Sequence, residues 1–532
     1  MAIDRQDQEA GAKEDPAIFR TAWWQRLAAE ASTYELTRLA ILRLLGLVYF
    51  VAFFSLWAQA PSLIGSHGLL PAAQLLSVQR ARLGAEAYWR LPTIFWLASS
   101  DGALRGACAV GTALSLAVMC GATNAAIQLA LLVLYSSFVH VGQIFYGYGW
   151  EIQLIETGFL AVFLCPWTTL APLPRWRAPK IVIWLLRWLI FRIMLGSALI
   201  KLRGDPCWRD LSCLDTHFET QPNPNPLAWW LHHAPHAVHV AGALFNYLAE
   251  LVAPWFVFGF RRFRHPAGAV LVSFQVALIL SGNLSFLNWL TIVPALACFD
   301  DSAFGRLLPR SVRGALLERF ESLATSRPQS IAANVMAVVV GLLSVGPVVN
   351  LVSPDQVMNR SYDPLGLVNT YGAFGSVDRA RYEVILEGSD DDSPDGASWR
   401  EYELPCMPGD VRRRPCVVTP YQHRLGWQMW FVGNGAARGE SIEGEPWLVH
   451  LVWQLLEGEP WPKSLLSRDP FPRAPPRWIR AGIWRYRFSS SVDRGVWWTR
   501  ERVGEFLPPV SLGHRGLREY VTAYQWPDAD SL

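Results

Sequence analysis

Charge is scarce in this sequence, and its make-up is lopsided. Only 17% of the 532 residues are charged, and just four of the 47 basic ones are lysines: Lys13, Lys180, Lys201 and Lys463. A soluble domain carries about 25% charged side chains, so a solvated surface over most of the chain is excluded. A formal net charge of +3 gives no reason to expect nucleic acid as a partner. The arginine excess reads as the codon usage of a GC-rich genome, hence a bacterial source. Catalytic signatures are missing too. There is no G-x-S-x-G, no P-loop, no C-x-x-C and no H-E-x-x-H, which removes the usual grounds for a serine hydrolase, an NTPase, a dithiol oxidoreductase or a metalloprotease. No cofactor is expected. A cleaved signal peptide is not legible, because the first apolar run starts too far in and runs too long.

What is present is apolar. Hydrophobic residues make up 52% of the chain, including 26 Trp. Many of these (Trp57, Trp150, Trp167, Trp176, Trp184, Trp188, Trp255) flank apolar runs, where an indole keeps its N–H at headgroup level. Leu39 to Ala58 reads as an anchor, and further runs stand at about 102–121, 125–146, 151–171, 181–200, 237–260, 266–282, 284–298 and 330–352. The fold class predicted is therefore an α-helical polytopic membrane protein of about nine transmembrane helices. With a cytoplasmic N-terminus, the basic short loops 172–180, 261–265 and 299–329 fall inside, as the positive-inside rule requires. The loop 201–236 and everything after Leu351 then lie outside. Residues 1–37 form a cytoplasmic segment in which Trp23, Trp24 and Leu27 suggest a helix on the membrane surface. Residues 38–352 form the polytopic domain.

From 356 to 532 the pattern changes to period-two alternation. Strands are predicted at 380–388, 399–404, 413–420, 424–431, 478–488 and 495–503, with one helix at 447–458 ended by its glycine. The expectation is a β-rich, sandwich-like extracytoplasmic domain.

One long polar stretch is trapped between apolar segments: GDPCWRDLSCLDTHFETQPNPNPLAWWLHHAP, residues 204–235. It must lie at a membrane face or in a protein-lined pocket. Its alternate prolines, QPNPNP, force an extended segment that serves as a binding strap or a spacer. Cys207 and Cys213 share this loop on an oxidising side, so a structural disulfide is expected; the other reading is a redox-active pair, whose usual spacing is absent. Cys406 and Cys416 flank a turn-rich segment and form either a second disulfide or two buried thiols. His232, His233, His236 and His239 have spacings that suit a transition metal, but Pro235 interrupts the helix and no metal is expected. Within the spans, Glu156, Arg187, Arg192 and Glu250 are costly unless paired. Depth along the helices suggests Glu250 with Arg187 and Glu156 with Arg192, as docking ion pairs or as a relay.

The stretch 204–235 closely resembles the signature region of the lipase maturation factor family, together with FRIMLGSALIKL (191–202) before it and SGNLSFLNWLTIVPALACFDD (281–301) after it. The likeness extends to WEIQLIETGFLAVFLCPW (150–167), NTYGAFGSVDRARYEVILEG (369–388) and CMPGDVRRRPCVVTPYQHRLGWQMWF (406–431). It implies a polytopic membrane protein, of the endoplasmic reticulum in animals, that helps secreted lipases reach their active state and is not itself a lipase. The matching client-facing parts are 204–235 and 369–431, with Asp205, Trp208, Arg209, Asp210, Asp215, His217, Glu219, Gln221, Pro222, Pro224, Tyr371, Trp427 and Trp430 as candidates. The partners expected are the bilayer and exported, lipase-like clients. In a bacterium the setting becomes the inner membrane with the C-terminal domain outside; the chain closes in PDADSL, without a retrieval tetrapeptide. A rival reading is an intramembrane enzyme acting on a lipid or an exported substrate, with a carboxylase-like layout and Asp205, His217, Glu219 and Glu250 as acid–base groups.

Overall fold

A computed structural model describes residues 33–171, 175–492 and 495–526; the surface helix expected around Trp23, Trp24 and Leu27 lies outside them. Helices stand wherever an apolar run stands in the sequence. In chain order these are α1 (Glu35–Ile64), α2 (Asp101–Cys120), α3 (Ala125–Val141), α4 (Gly149–Leu164) and α5 (Lys180–Arg203). A short α6 (Leu214–Thr220) in the polar loop precedes α7 (His236–Tyr247), α8 (Arg261–Ser281), α9 (Leu287–Ala295) and α10 (Arg327–Leu343). Among the described residues, six helical stretches are long and apolar enough to cross a membrane: Glu35–Ile64, Asp101–Cys120, Lys180–Arg203, His236–Phe256, Arg261–Ser281 and Arg327–Val352. The expected nine are not reached, because a span needs about 20 residues whereas α3, α4 and α9 have 17, 16 and 9. In α4 the carboxylates Glu151 and Glu156 are buried by protein. Backbones approach closely where side chains are small: a Cβ on Gly46 of α1 would sit 2.7 Å from the Met119 amide of α2, the kind of contact that holds helices together in lipid.

The loops sort to two ends of the bundle. At one end the Asp301 carboxylate accepts from the Glu35 and Leu36 amides, both at 2.8 Å, and so caps α1 from a distant part of the chain. The Ala178 amide donates to Glu35 at 2.7 Å, and Arg261 and Arg264 pair with Asp300 at 2.8 and 3.0 Å. At the other end Gln59 donates to the Gln422 carbonyl at 2.7 Å, and Asn283 gathers the chain around 416–419, accepting from Val418 at 2.9 Å and donating to the Cys416 carbonyl at 2.9 Å. Thus the stretches 175–180, 261–265 and 299–301 share one end with the start of α1, and the loop 204–235 and the described C-terminal region share the other.

Among its described residues the C-terminal region is a single sheet with helices and not the expected sandwich. It holds one four-stranded antiparallel sheet of order β2–β1–β3–β4, built from β1 (Arg381–Ser389), β2 (Arg400–Glu401), β3 (Trp478–Phe488) and β4 (Trp498–Val510). Three helices, α11 (Arg424–Ala437), α12 (Pro446–Glu457) and α13 (Arg515–Tyr524), hold at least as many residues as the strands. The helix α12 ends as read from the sequence, on Gly458 in the left-handed region at φ 82°. Two expected strands are corrected. Residues 424–431 begin α11: its aromatic and aliphatic residues are buried on nearly every side, so their spacing carries no single period. Gly433 lets that helix lie on β1, since a Cβ there would meet the Tyr382 carbonyl at 2.2 Å. Residues 413–420 form no strand, because their polar backbone groups are satisfied by the side chain of Asn283 rather than by a neighbouring strand. One buried cluster runs from Tyr34 through the bundle to Trp526, so the sheet region and the bundle share a core.

Candidate functional site

The polar loop is built to be rigid. The Asp205 side chain caps a turn by accepting from the Cys207 amide at 2.9 Å and pairs with Arg379 at 3.2 Å. Cys207 and Cys213 are joined, as are Cys406 and Cys416, and Cys207 and Cys213 are wholly buried. The Trp208 indole donates to the Phe374 carbonyl at 2.7 Å. Beyond α6 the proline-rich strap offers acceptors and few donors, and one arginine takes them: the buried Arg381 of β1 donates to the carbonyls of Glu219, Gln221 and Pro222. Asn225 donates to the Leu280 carbonyl at 2.8 Å and Gln221 to that of Ser281 at 3.0 Å. The strap is thus stitched to both the sheet and α8.

Beneath the loop lies a cavity of about 700 Å³. Its walls come from α5, α7, α8 and α9, and Trp150, Trp208, Tyr371, Trp427, Trp430 and Phe431 line it with aromatic rings. One charged pair sits inside: Lys201 Nζ lies 2.7 Å from both oxygens of Glu250 and 2.8 Å from Asn246 Oδ1. Nearby, Asn288 donates to Gln275 at 2.8 Å. Trp208 presents its ring 4.9 Å from the Lys201 ammonium, a cation–π contact strengthened by desolvation. Of the client-facing candidates, Trp208, His217, Pro222, Tyr371, Trp427 and Trp430 line this cavity, whereas Asp205, Arg209, Asp210, Asp215, Glu219, Gln221 and Pro224 do not.

The pairing of Arg187 with Glu250 is corrected. Arg187 donates to the Ala297 carbonyl and the Tyr34 hydroxyl, both at 2.9 Å, and lies 14 positions before Lys201 on α5, roughly 21 Å along the axis at 1.5 Å per residue. Depth counted from span ends misleads here, because Glu250 stands 14 positions after His236, the first residue of α7, yet meets Lys201, two positions before α5 ends at Arg203. The helix also departs from α geometry: Leu248–Val252 is a π turn containing Glu250, a feature frequent at functional sites. Lys201 and the π turn were both missed from the sequence; the one signal was that Lys201 is among only four lysines. The second pair is found. Arg192 meets Glu156, whose other oxygen accepts from the Asn369 amide at 3.0 Å and the Tyr371 hydroxyl at 2.7 Å.

The four acid–base candidates do not share one site: His217 and Glu250 line the cavity, whereas Asp205 and Glu219 do not. Glu219 accepts from the Phe488 amide at 2.7 Å, and burial, only partly offset by that bond and by Arg381, raises its pKa. His217 is held neutral, pushed down to about 4 by burial and by the neighbouring Lys201 charge. Glu250 is committed to Lys201, and Asp205 to its cap. The histidines separate as well: His233 faces the Trp229 carbonyl at 2.9 Å and His232 lies 3.5 Å from Glu219, while His236 and His239 both meet Asp215, at 2.9 and 2.7 Å. That trio is the one group among the described residues arranged to hold a metal ion.

Comparison with known proteins agrees over both halves. Residues 36–306 match the lipase maturation factor transmembrane domain, and residues 367–508 the lipase maturation factor C-terminal domain. Lipase maturation factor 1 of Bos taurus is 47% identical over 529 residues, covering 93% of this chain and 92% of that protein. Lipase maturation factor 1 of Homo sapiens is 45% identical over 524 residues, covering 93% and 91%. Lipase maturation factor 2 of Homo sapiens is 31% identical over 610 residues, covering 90% and 83%. No solved structure matches. These relatives are animal proteins, so the bacterial source read from the arginine excess has no support; that excess reports base composition, which does not specify a kingdom.

Proposed function

The chain belongs to the lipase maturation factor family, and from that membership we propose that it is an integral membrane protein that matures exported lipases, holding a partly folded client through apolar and aromatic surface and releasing it folded. The observation that carries this reading is the aromatic-lined cavity under the disulfide-braced loop, at the end of the bundle where that loop and the sheet region meet. A folding intermediate exposes apolar side chains, and each Å² removed from water contributes about 25 cal/mol. A rigid concave aromatic surface competes for those side chains without collapsing on itself. The relatives carry the names of maturation factors, in keeping with a protein that is not an enzyme. The test is a secreted lipase assayed with this gene intact, deleted, or carrying Trp427→Ala with Trp430→Ala. Lipase activity is expected to fall in the last two cases at unchanged transcript level. Full activity in the deletion strain, with an altered lipid profile, would sink the reading.

The orientation proposed puts 204–235 and the C-terminal region on the oxidising side, which suits two disulfides there. For a eukaryotic host the membrane is that of the endoplasmic reticulum. A reporter active only in the cytoplasm is expected to work when fused after Arg177, Arg264 or Arg313 and to be silent after Asp215 or Gly388. Activity after Gly388 reverses the orientation and puts the client surface in the wrong compartment.

A further inference from the structure

From the hydrogen-bonding requirements of one buried histidine, we infer that Asp215, His236 and His239 form a binding site for a divalent transition-metal ion of the zinc class. Pro235 does not disrupt the helix but starts it, standing just before α7, so His236 and His239, three positions apart, share one face directed at α6. His239 Nε2 lies 2.7 Å from the Leu231 carbonyl. A carbonyl only accepts, so Nε2 carries the hydrogen, and in the neutral ring Nδ1 then carries a lone pair. That nitrogen is 2.7 Å from Asp215 Oδ1, which is also an acceptor. His236 Nδ1 approaches the same oxygen at 2.9 Å. Two lone pairs facing each other at such a distance repel unless a cation is shared between them, and that cation is either a proton on His239 or a metal ion.

Two observations favour the metal. The ligand atoms of the three residues all lie within 4.8 Å of one another. The His239 ring is held by its other nitrogen on a backbone carbonyl, the outer support that metal-ligating imidazoles almost always have. Zinc–ligand distances of about 2.0–2.2 Å put tetrahedral ligands roughly 3.3 Å apart, so each contact needs to open by about half an ångström. His236 and Asp215 have that freedom, their side chains being 60% and 37% exposed. Two nitrogens and one oxygen suit zinc, and a fourth position stays open on the exposed side. A bound ion would staple α6 to α7 beside the Cys207–Cys213 bond, and His239 itself lines the cavity.

The test uses the full-length, tag-free protein in detergent, stripped with chelator and titrated with Zn²⁺ at neutral pH, with metal content read by mass spectrometry. Co²⁺ absorption identifies the donors. One zinc per chain is expected, with cobalt bands of nitrogen and oxygen ligation and no sulfur charge-transfer band that would betray Cys108, Cys120, Cys165 or Cys298. His236→Ala, at an exposed position that leaves folding intact, and Asp215→Asn are each expected to lose the ion; His233→Ala is expected to keep it. Absence of bound zinc in the unaltered protein, a sulfur charge-transfer band, or undiminished binding in His236→Ala overturns the site and leaves a proton on His239 as the shared cation.

Discussion

Lys201→Met is expected to destabilise the protein by about 3–5 kcal/mol, the cost of leaving one member of a buried ion pair without its partner. Glu250→Gln is expected to do the same, and the double variant to return close to the starting stability. Both groups are almost fully buried, with side-chain exposures of 4% and 5%, and among the described residues their charge compensation is mutual. Asn246, which donates to Glu250 at 3.2 Å and accepts from Lys201 at 2.8 Å, supplies dipoles and no charge. Removing both charges also removes both desolvation penalties, and for that reason buried pairs are often replaceable at little cost. A double-mutant cycle by thermal unfolding in nanodiscs checks this. Arg187→Met combined with Glu250→Gln is expected to be additive, because Arg187 is bonded elsewhere; strong coupling in that second cycle, or none in the first, refutes the assignment. The Lys201/Glu250 double variant has a further use. It separates the two roles of the cavity: if maturation survives there, apolar surface carries the client, and if it fails in a stable protein, the charges themselves contact it.

The second large effect is expected at Glu156. Its carboxylate serves Arg192, the Asn369 amide and side chain, and the Tyr371 hydroxyl at once, so it is the point at which the bundle grips the chain entering the sheet region. Glu156→Leu strands a buried guanidinium, at about 3–5 kcal/mol, and orphans buried donors at about 1–3 kcal/mol each. Such a sum approaches the whole stability of many proteins. The expected outcome is release of residues 353–380 from the bundle, read as rapid proteolysis in that segment and loss of secreted lipase activity. Tyr371→Phe, which removes one hydrogen bond to a charged acceptor, is expected to cost only about 1.5–3 kcal/mol and to leave the segment protected. Equal protease resistance of Glu156→Leu and the unaltered protein would refute the clamp.

How far the sequence carried these features depends on how local each one is. Helices stand at the apolar runs, and α12 stops at Gly458, because residue order encodes period and caps directly. The strands 380–388 and 478–488 were legible for the same reason. The stretch 424–431 was not: buried on nearly every side between sheet and bundle, α11 has no polar face to set a period. Glu156 and Arg192 were pairable from depth alone because α4 and α5 adjoin in sequence and turn at the same end.

The sequence by itself determined the membrane class, the helical segments of the bundle, the cysteine-bearing loop and, through its motifs, the family. Only the tertiary structure decided which charges meet and which residues surround the cavity. Lys201 finds Glu250 because a π turn and a helix that starts above the bundle shift register and azimuth together, and Asp215 finds two histidines because a bent loop folds α6 onto α7. Both are relations between elements that are separate in the chain, set by how whole helices dock, and no local pattern of residues records them.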